Sequence, residues 1–132
     1  MAEIIYAVVM SFLIPIIMIA CGYWMWKKPP RNINSMFGYR TMRSMKNQDT
    51  WDFAHEYGGR LWYRWGWGLL IFTGVCLLIA TELEQVSYTV VMLIFVILQT
   101  IFLCATIYPI ERTLAHTFDK DGNRINDEGG ED

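Results

Sequence analysis

The stretch "NINSMFGYRTMRSMKNQDTWDFAHEYGGRLW", Asn32 to Trp62, decides how the chain folds. It holds Asn, Ser, Thr, Gln and Gly in turn-forming and capping arrangements, interleaved with Arg40, Arg43, Lys46 and Arg60. On either side the chain changes character: residues 4–26 and 65–80 contain no charged side chain, nor do residues 86–108 further on. A polar segment of such variety between uncharged apolar runs reads as an extramembrane loop between two membrane spans.

An α-helix rises about 1.5 Å per residue, so about 20 apolar residues cross a hydrocarbon core about 30 Å thick. The first and third runs reach that length alone. The second does so when extended to residues 62–81. Three helices apolar on every side have no wet face to offer a soluble protein. The fold class is therefore an all-α membrane protein with three transmembrane helices at 4–26, 62–81 and 86–108. The whole sequence agrees: 132 residues, 54% of them hydrophobic and 15% aromatic, with only 18% charged. Glu3 ahead of the first run, with no Lys or Arg there, argues against a cleaved signal peptide.

The charges that remain are clustered, and the net charge of −2 conceals a basic centre and an acidic tail. Lys27, Lys28, Arg31, Arg40, Arg43, Lys46 and Arg60 lie between the first two spans and Arg64 at the start of the second, whereas the turn between the second and third carries Glu82 and Glu84 and no base. Basic residues stay in the cytoplasm. The N-terminus is expected outside the cell membrane, the 27–61 loop inside, and the C-terminus inside. Tyr23, Trp24 and Trp26 close the first span and Trp62, Tyr63, Trp65 and Trp67 open the second, where aromatic rings anchor at the headgroup layer. Basic residues on such a loop set topology and touch anionic membrane lipid.

Within the loop, Pro29-Pro30 stops the first helix and Gly38 suits a left-handed turn. Ser44, Asp49 and Thr50 are candidate caps of a new helix. Trp51, Ala54, His55, Gly58, Leu61 and Trp62 then recur at helical spacing. That pattern predicts an interfacial amphipathic helix on the cytoplasmic surface, bending at Gly58-Gly59 into the second span.

Chemistry has few candidates. Cys21, Cys76 and Cys104 all fall in spans, apart from one another, and read as packing residues. His55 is a single imidazole, too little for a metal site and without a nucleophile to activate. No cofactor, metal, catalytic group or direct nucleic-acid contact is expected, and the chain reads as a non-enzyme. Gln99 is the one strongly polar residue within the spans; with Thr100 it suits hydrogen bonding to a neighbouring helix, in this chain or another. The absence of a membrane-embedded carboxylate or lysine argues against a proton pump. Residues 111–132 read as an acidic, disordered cytoplasmic tail. "DKDGNRIND" starts like a calcium loop but places Arg124 where that loop needs glycine.

The loop resembles the signature of the SdpI family of small bacterial membrane proteins. That pattern has Asn, then Gly-Tyr-Arg-Thr, then Ser, Asn and Trp followed by Ala-Asn. Here it falls on Asn34, Gly38, Tyr39, Arg40, Thr41, Ser44, Asn47, Trp51 and Ala54. Met42 stands where the family commonly has proline, and His55 where it has asparagine. The resemblance implies immunity against a secreted, membrane-active peptide toxin, and signalling by holding a transcriptional repressor at the membrane. The residues expected to meet a partner are Asn34, Gly38, Tyr39, Arg40, Thr41, Arg43, Ser44, Asn47, Trp51 and His55. Larger members carry additional spans ahead of this unit. The alternative reading, from another class, is a subunit of a small oligomeric transporter or channel, which requires a homo-oligomer because three uncharged spans make a poor pore alone.

Overall fold

The computed structural model describes residues 1–125. Those residues form four helices: α1 (Ala2–Lys27), α2 (Gln48–Thr81), α3 (Tyr88–Ala105) and α4 (Ile107–Thr117). The first three contain stretches long and apolar enough to cross a membrane. The spans keep most of their large side chains on the outside: Ile71, Leu78, Leu93 and Ile97 are all exposed. Lipid is the solvent that such a surface fits.

α1 is the central element. It packs along α2 and also against α3, whereas α2 and α3 meet through side chains, Trp65 against Phe102 and Thr73 with Gln99. The α1–α2 contact is close because glycines meet. A Cβ added at Gly22 would fall 2.8 Å from the Gly59 carbonyl oxygen, and one added at Gly59 would fall 2.7 Å from the Gly22 oxygen. Gly66 repeats the approach one step along, where a Cβ would stand 2.8 Å from Ile19 Cγ1. In lipid there is no hydrophobic drive to bring helices together, so small residues that allow backbone contact do it through van der Waals packing.

The separate interfacial helix expected before the second span is not formed. Residues 48–81 are one uninterrupted helix. The Gly58-Gly59 pair, expected as a bend, is instead a packing surface: Gly59 meets Gly22 and Gly58 lies under Ile110. A glycine bends a helix only where nothing holds it, and both faces here are held. At about 1.5 Å per residue, α2 is about 51 Å long, well beyond a hydrocarbon core of about 30 Å. Its apolar part from Leu61 onward suffices to span, and residues 48–60 project beyond it. The start of the helix also differs from expectation. Asn47 is the N-cap: its side chain accepts from the Thr50 amide, and the Thr50 hydroxyl accepts from the Asn47 amide.

The third apolar run breaks at Thr106, which separates α3 from α4. The segment from Glu111 onward, expected as a disordered tail, is helical to Thr117. It then turns back so that Phe118 and Arg124 form a β-bridge. Asp119 closes that turn through the amides of Asp121 and Asn123, a local structural use of the residues that resemble a calcium loop. The order comes from burial: Ile110, Leu114 and Phe118 join Met25, Tyr39 and Ala54 in one core. The acidic residues after Ile125 lie outside the described residues. The water-excluding core of this protein thus sits at the polar end of the bundle, where α2, α4 and the 28–47 loop converge.

Candidate functional site

The polar end is a cap built by the loop on the projecting part of α2. Trp51 and His55 stand one turn apart, both fully buried, with ring centroids 4.3 Å apart. The Trp51 indole donates to the Pro30 carbonyl at 2.7 Å, which ties the end of the first span to α2. The His55 Nε2 accepts from the Tyr39 amide at 2.9 Å, and its Nδ1 lies 2.8 Å from the Trp51 carbonyl. An Nε2 that accepts leaves the proton on Nδ1, so both ring nitrogens are satisfied only by neutral imidazole in that tautomer. Burial pushes the His55 pKa below its ordinary value, consistent with that neutral state.

Gly38 makes the approach possible. Its φ is +99°, and an added Cβ would collide with His55 Nε2. The left-handed turn expected at this glycine is therefore present, and the space beside it belongs to the histidine. Asn34 organises the turn before it, accepting from the amides of Met36 and Phe37.

The next layer joins the loop to α4. The Tyr39 hydroxyl donates to Glu111 Oε2 at 2.6 Å and the Thr41 hydroxyl donates to the same oxygen at 2.8 Å, while Arg43 Nε lies 3.8 Å from Oε1. Burial first, and then the bond to the Glu111 carboxylate, raise the Tyr39 pKa far above the ordinary phenol value, so the hydroxyl remains a donor. Ser44, fully buried, donates its one hydroxyl hydrogen between the Tyr39 and Thr41 carbonyls, the Tyr39 oxygen being nearer, and accepts from the Thr41 amide. Asn47 reaches the C-terminal turn by donating to the Gly122 carbonyl at 2.8 Å. Asp49 holds Arg124 through two bonds of 2.9 Å, and the guanidinium lowers the Asp49 pKa.

Of the ten residues expected to meet a partner, Tyr39, Thr41, Ser44, Asn47, Trp51 and His55 thus form one continuous network with Gly38 at its centre, and Asn34 fixes a neighbouring turn. Arg43 faces Glu111 while half exposed. Arg40 is exposed, and its guanidinium donates to the Ser35 carbonyl at 2.7 Å. Glu111 is the residue that sequence reasoning missed. The available signal was a carboxylate directly beyond the third apolar run, within reach of hydroxyls and guanidinium at the same end of the bundle.

The SdpI/YfhL protein family model matches residues 31–109, which includes the loop, α2, α3 and the start of α4. The chain belongs to the SdpI/YfhL family. Its likeness to the uncharacterized protein YfhL of Bacillus subtilis strain 168 is 39% identity over 67 residues, or 51% of this chain and 58% of that protein. The chain therefore spans little more than half of that relative's length. No solved structure matches the chain. As an SdpI/YfhL protein it is a membrane protein, and the Gly-Tyr-Arg-Thr element of its loop adds a polar link between His55 of α2 and Glu111 of α4.

Proposed function

We propose that this SdpI/YfhL protein is a non-enzymatic interaction module of the cell membrane, which uses its polar cap in toxin immunity or in signalling to a cytoplasmic repressor. In this reading the N-terminus is outside and the cap is cytoplasmic, with the basic loop opposed to the acidic 82–84 turn. Immunity and repressor binding come from the family resemblance. The observation that carries the reading for this chain is the rigidity of the cap combined with what it leaves outside. Side-chain hydrogen bonds of Asn34, Ser44, Asn47 and Thr50 hold the 34–50 segment, yet Met36, Phe37 and Met42 are 73%, 61% and 85% exposed, with Arg40 beside them. Apolar side chains and an arginine on a preorganised backbone are the residue types that protein interfaces use for anchoring.

The test is protection. Cells carrying the chain are challenged with a membrane-active peptide toxin, and the membrane-bound fraction of a co-expressed repressor is followed in parallel. Phe37→Ala and Arg40→Ala should lower one or both readouts about tenfold, which corresponds to about 1.4 kcal/mol, at unchanged membrane levels. Wild-type chain that neither protects nor retains a repressor would overturn the reading.

A further inference from the structure

Arg64 lies inside a span rather than beyond it. α2 needs the residues from Leu61 to Thr81 to reach about 30 Å, the thickness of a hydrocarbon core. Arg64 therefore sits about 4.5 Å past the start of the apolar stretch. A guanidinium at that depth is unfavourable unless an opposite charge meets it. Among the described residues nothing in the chain does so: Arg64 is exposed and forms neither a hydrogen bond nor an ion pair.

Side chains on a helix lean toward its N-terminus, and the N-terminus of α2 is at the polar end. Arg64 thus reaches back past Leu61 toward the headgroup layer, as long basic side chains do at a membrane boundary. There it lines a groove of about 270 Å³ with Tyr57, Leu61 and Trp65, edged by Glu56 and Arg60. The groove is rich in donors that have no acceptor. Among the described residues, neither the Tyr57 hydroxyl nor the Trp65 indole N–H makes a hydrogen bond. Both rings are nonetheless held in place: Tyr57 stacks on Phe53 with centroids 5.9 Å apart, and Trp65 lies 5.5 Å from Phe102 of α3. The carboxylate at the edge is already taken, since Arg60 donates to Glu56 at 2.6 Å, and the Arg60 guanidinium also lies over the Trp26 ring of α1.

Three unused donors, one of them a permanent positive charge, with no unpaired acceptor among them, describe a site for an anion. The planar fork of an arginine suits phosphate. At the boundary of a span the phosphate present is that of a phospholipid, and Leu61 with the face of Trp65 continues the groove into the apolar layer where an acyl chain runs. We propose that this groove binds the phosphodiester of an anionic phospholipid, with Arg64 as the principal contact and Tyr57 and Trp65 as further donors. A zwitterionic headgroup would bring its cation to a place where the one carboxylate is paired with Arg60. Such a site is independent of any toxin or repressor that the cap meets.

The experiment titrates pyrene-labelled phosphatidylglycerol or phosphatidylcholine into the full chain in dodecyl maltoside micelles and follows energy transfer from the tryptophans. Phosphatidylglycerol should saturate at a concentration at least about tenfold lower than phosphatidylcholine. Arg64→Gln should remove that preference while melting like the wild type in lipid-free micelles, because no contact within the chain is lost. Arg64→Lys keeps the charge but not the fork, and Tyr57→Phe loses one donor; each should weaken binding of phosphatidylglycerol about threefold. Lys28→Gln removes an exposed charge outside the groove and should change nothing. Unlabelled phosphatidylglycerol should displace the labelled lipid, and excess inorganic phosphate should not. Equal affinity for the two lipids would overturn the proposal. Equal losses from Arg64→Gln and Lys28→Gln would do the same by showing a diffuse basic belt, and displacement by inorganic phosphate would show a free-anion site instead. Should Arg64→Gln fail to fold, Arg64→Lys decides, and undiminished binding by that variant would overturn the proposal.

Discussion

His55 is held by geometry in which both ring nitrogens already have partners, and this makes its charge state a stability question. Its folded pKa is lowered by burial from 6.5, so the folded protein takes up a proton less readily than the unfolded chain. The stability it contributes is complete above the unfolded pKa and is lost as pH falls below it through the folded pKa. Thermal unfolding in detergent should therefore show a lower midpoint at pH 5 than at pH 7.5. Asp49, lowered by Arg124, stays ionised across this window and adds nothing to the difference. His55→Asn should flatten the response, because an amide can meet the Tyr39 N–H without titrating. Trp51 and Arg40 belong to the same motif but should behave differently. Trp51 is fully buried and Trp51→Ala should cost about 3–5 kcal/mol, seen as loss of folded protein. Arg40 is exposed with a single carbonyl contact, so Arg40→Ala should leave the melting point within about 0.5 kcal/mol of wild type.

Helices are joined in this protein by two devices of different chemistry. Between α1 and α2 the joint is steric: a Cβ at Gly59 would stand 2.5 Å from the Trp26 backbone nitrogen, an atom that cannot move aside without the helix. Gly59→Ala should cost about 1–3 kcal/mol or more, read as a fall in melting temperature or in folded yield. Gly68 has nothing within 4 Å of an added Cβ, so Gly68→Ala is the matched control and should be neutral or slightly stabilising. Between the loop and α4 the joint is polar. Glu111→Ala would leave the Tyr39 and Thr41 hydroxyls without their acceptor, at about 1–3 kcal/mol. Glu111→Gln keeps an acceptor oxygen and should lose less. Faster proteolysis near residues 39–43 in Glu111→Ala than in Glu111→Gln is the measurement that separates these effects.

For the molecule as a whole, the asymmetry of charge predicts orientation. Seven Lys and Arg residues lie between the first two spans, an eighth, Arg64, lies at the start of the second, and none lies in the turn that follows it. A reporter enzyme that is active only outside the cytoplasm, fused after Asp132, should be silent, and the same reporter fused ahead of Met1 should be active. The reverse pattern would put the cap outside the cell and remove it from any cytoplasmic repressor.

Several features were legible in the amino acids alone because they depend on neighbours along the chain. An uncharged run of about 20 residues has one physical home, so the three spans follow from composition. The family follows from the spacing of Gly38, Tyr39, Arg40, Thr41, Ser44, Asn47 and Trp51. A left-handed turn at Gly38 follows from the absence of a side chain. Local pattern could not supply contacts between distant residues. Tyr39 and Glu111 are 72 positions apart and meet only because α4 returns to the loop. Helical spacing over 51–62 is the same for an interfacial helix as for the first turns of a long one. It was the contact of Gly59 with Gly22 and of Gly58 with Ile110 that kept α2 unbroken. Likewise, the polar stretch from Glu111 has the composition of a solvated tail, and burial of Ile110, Leu114 and Phe118 ordered it. Tertiary structure also divided the motif between scaffold and surface: Trp51 and His55 went inside because the indole and the imidazole found partners for every polar atom once water was removed, whereas the Arg40 guanidinium has a single carbonyl contact and stayed out.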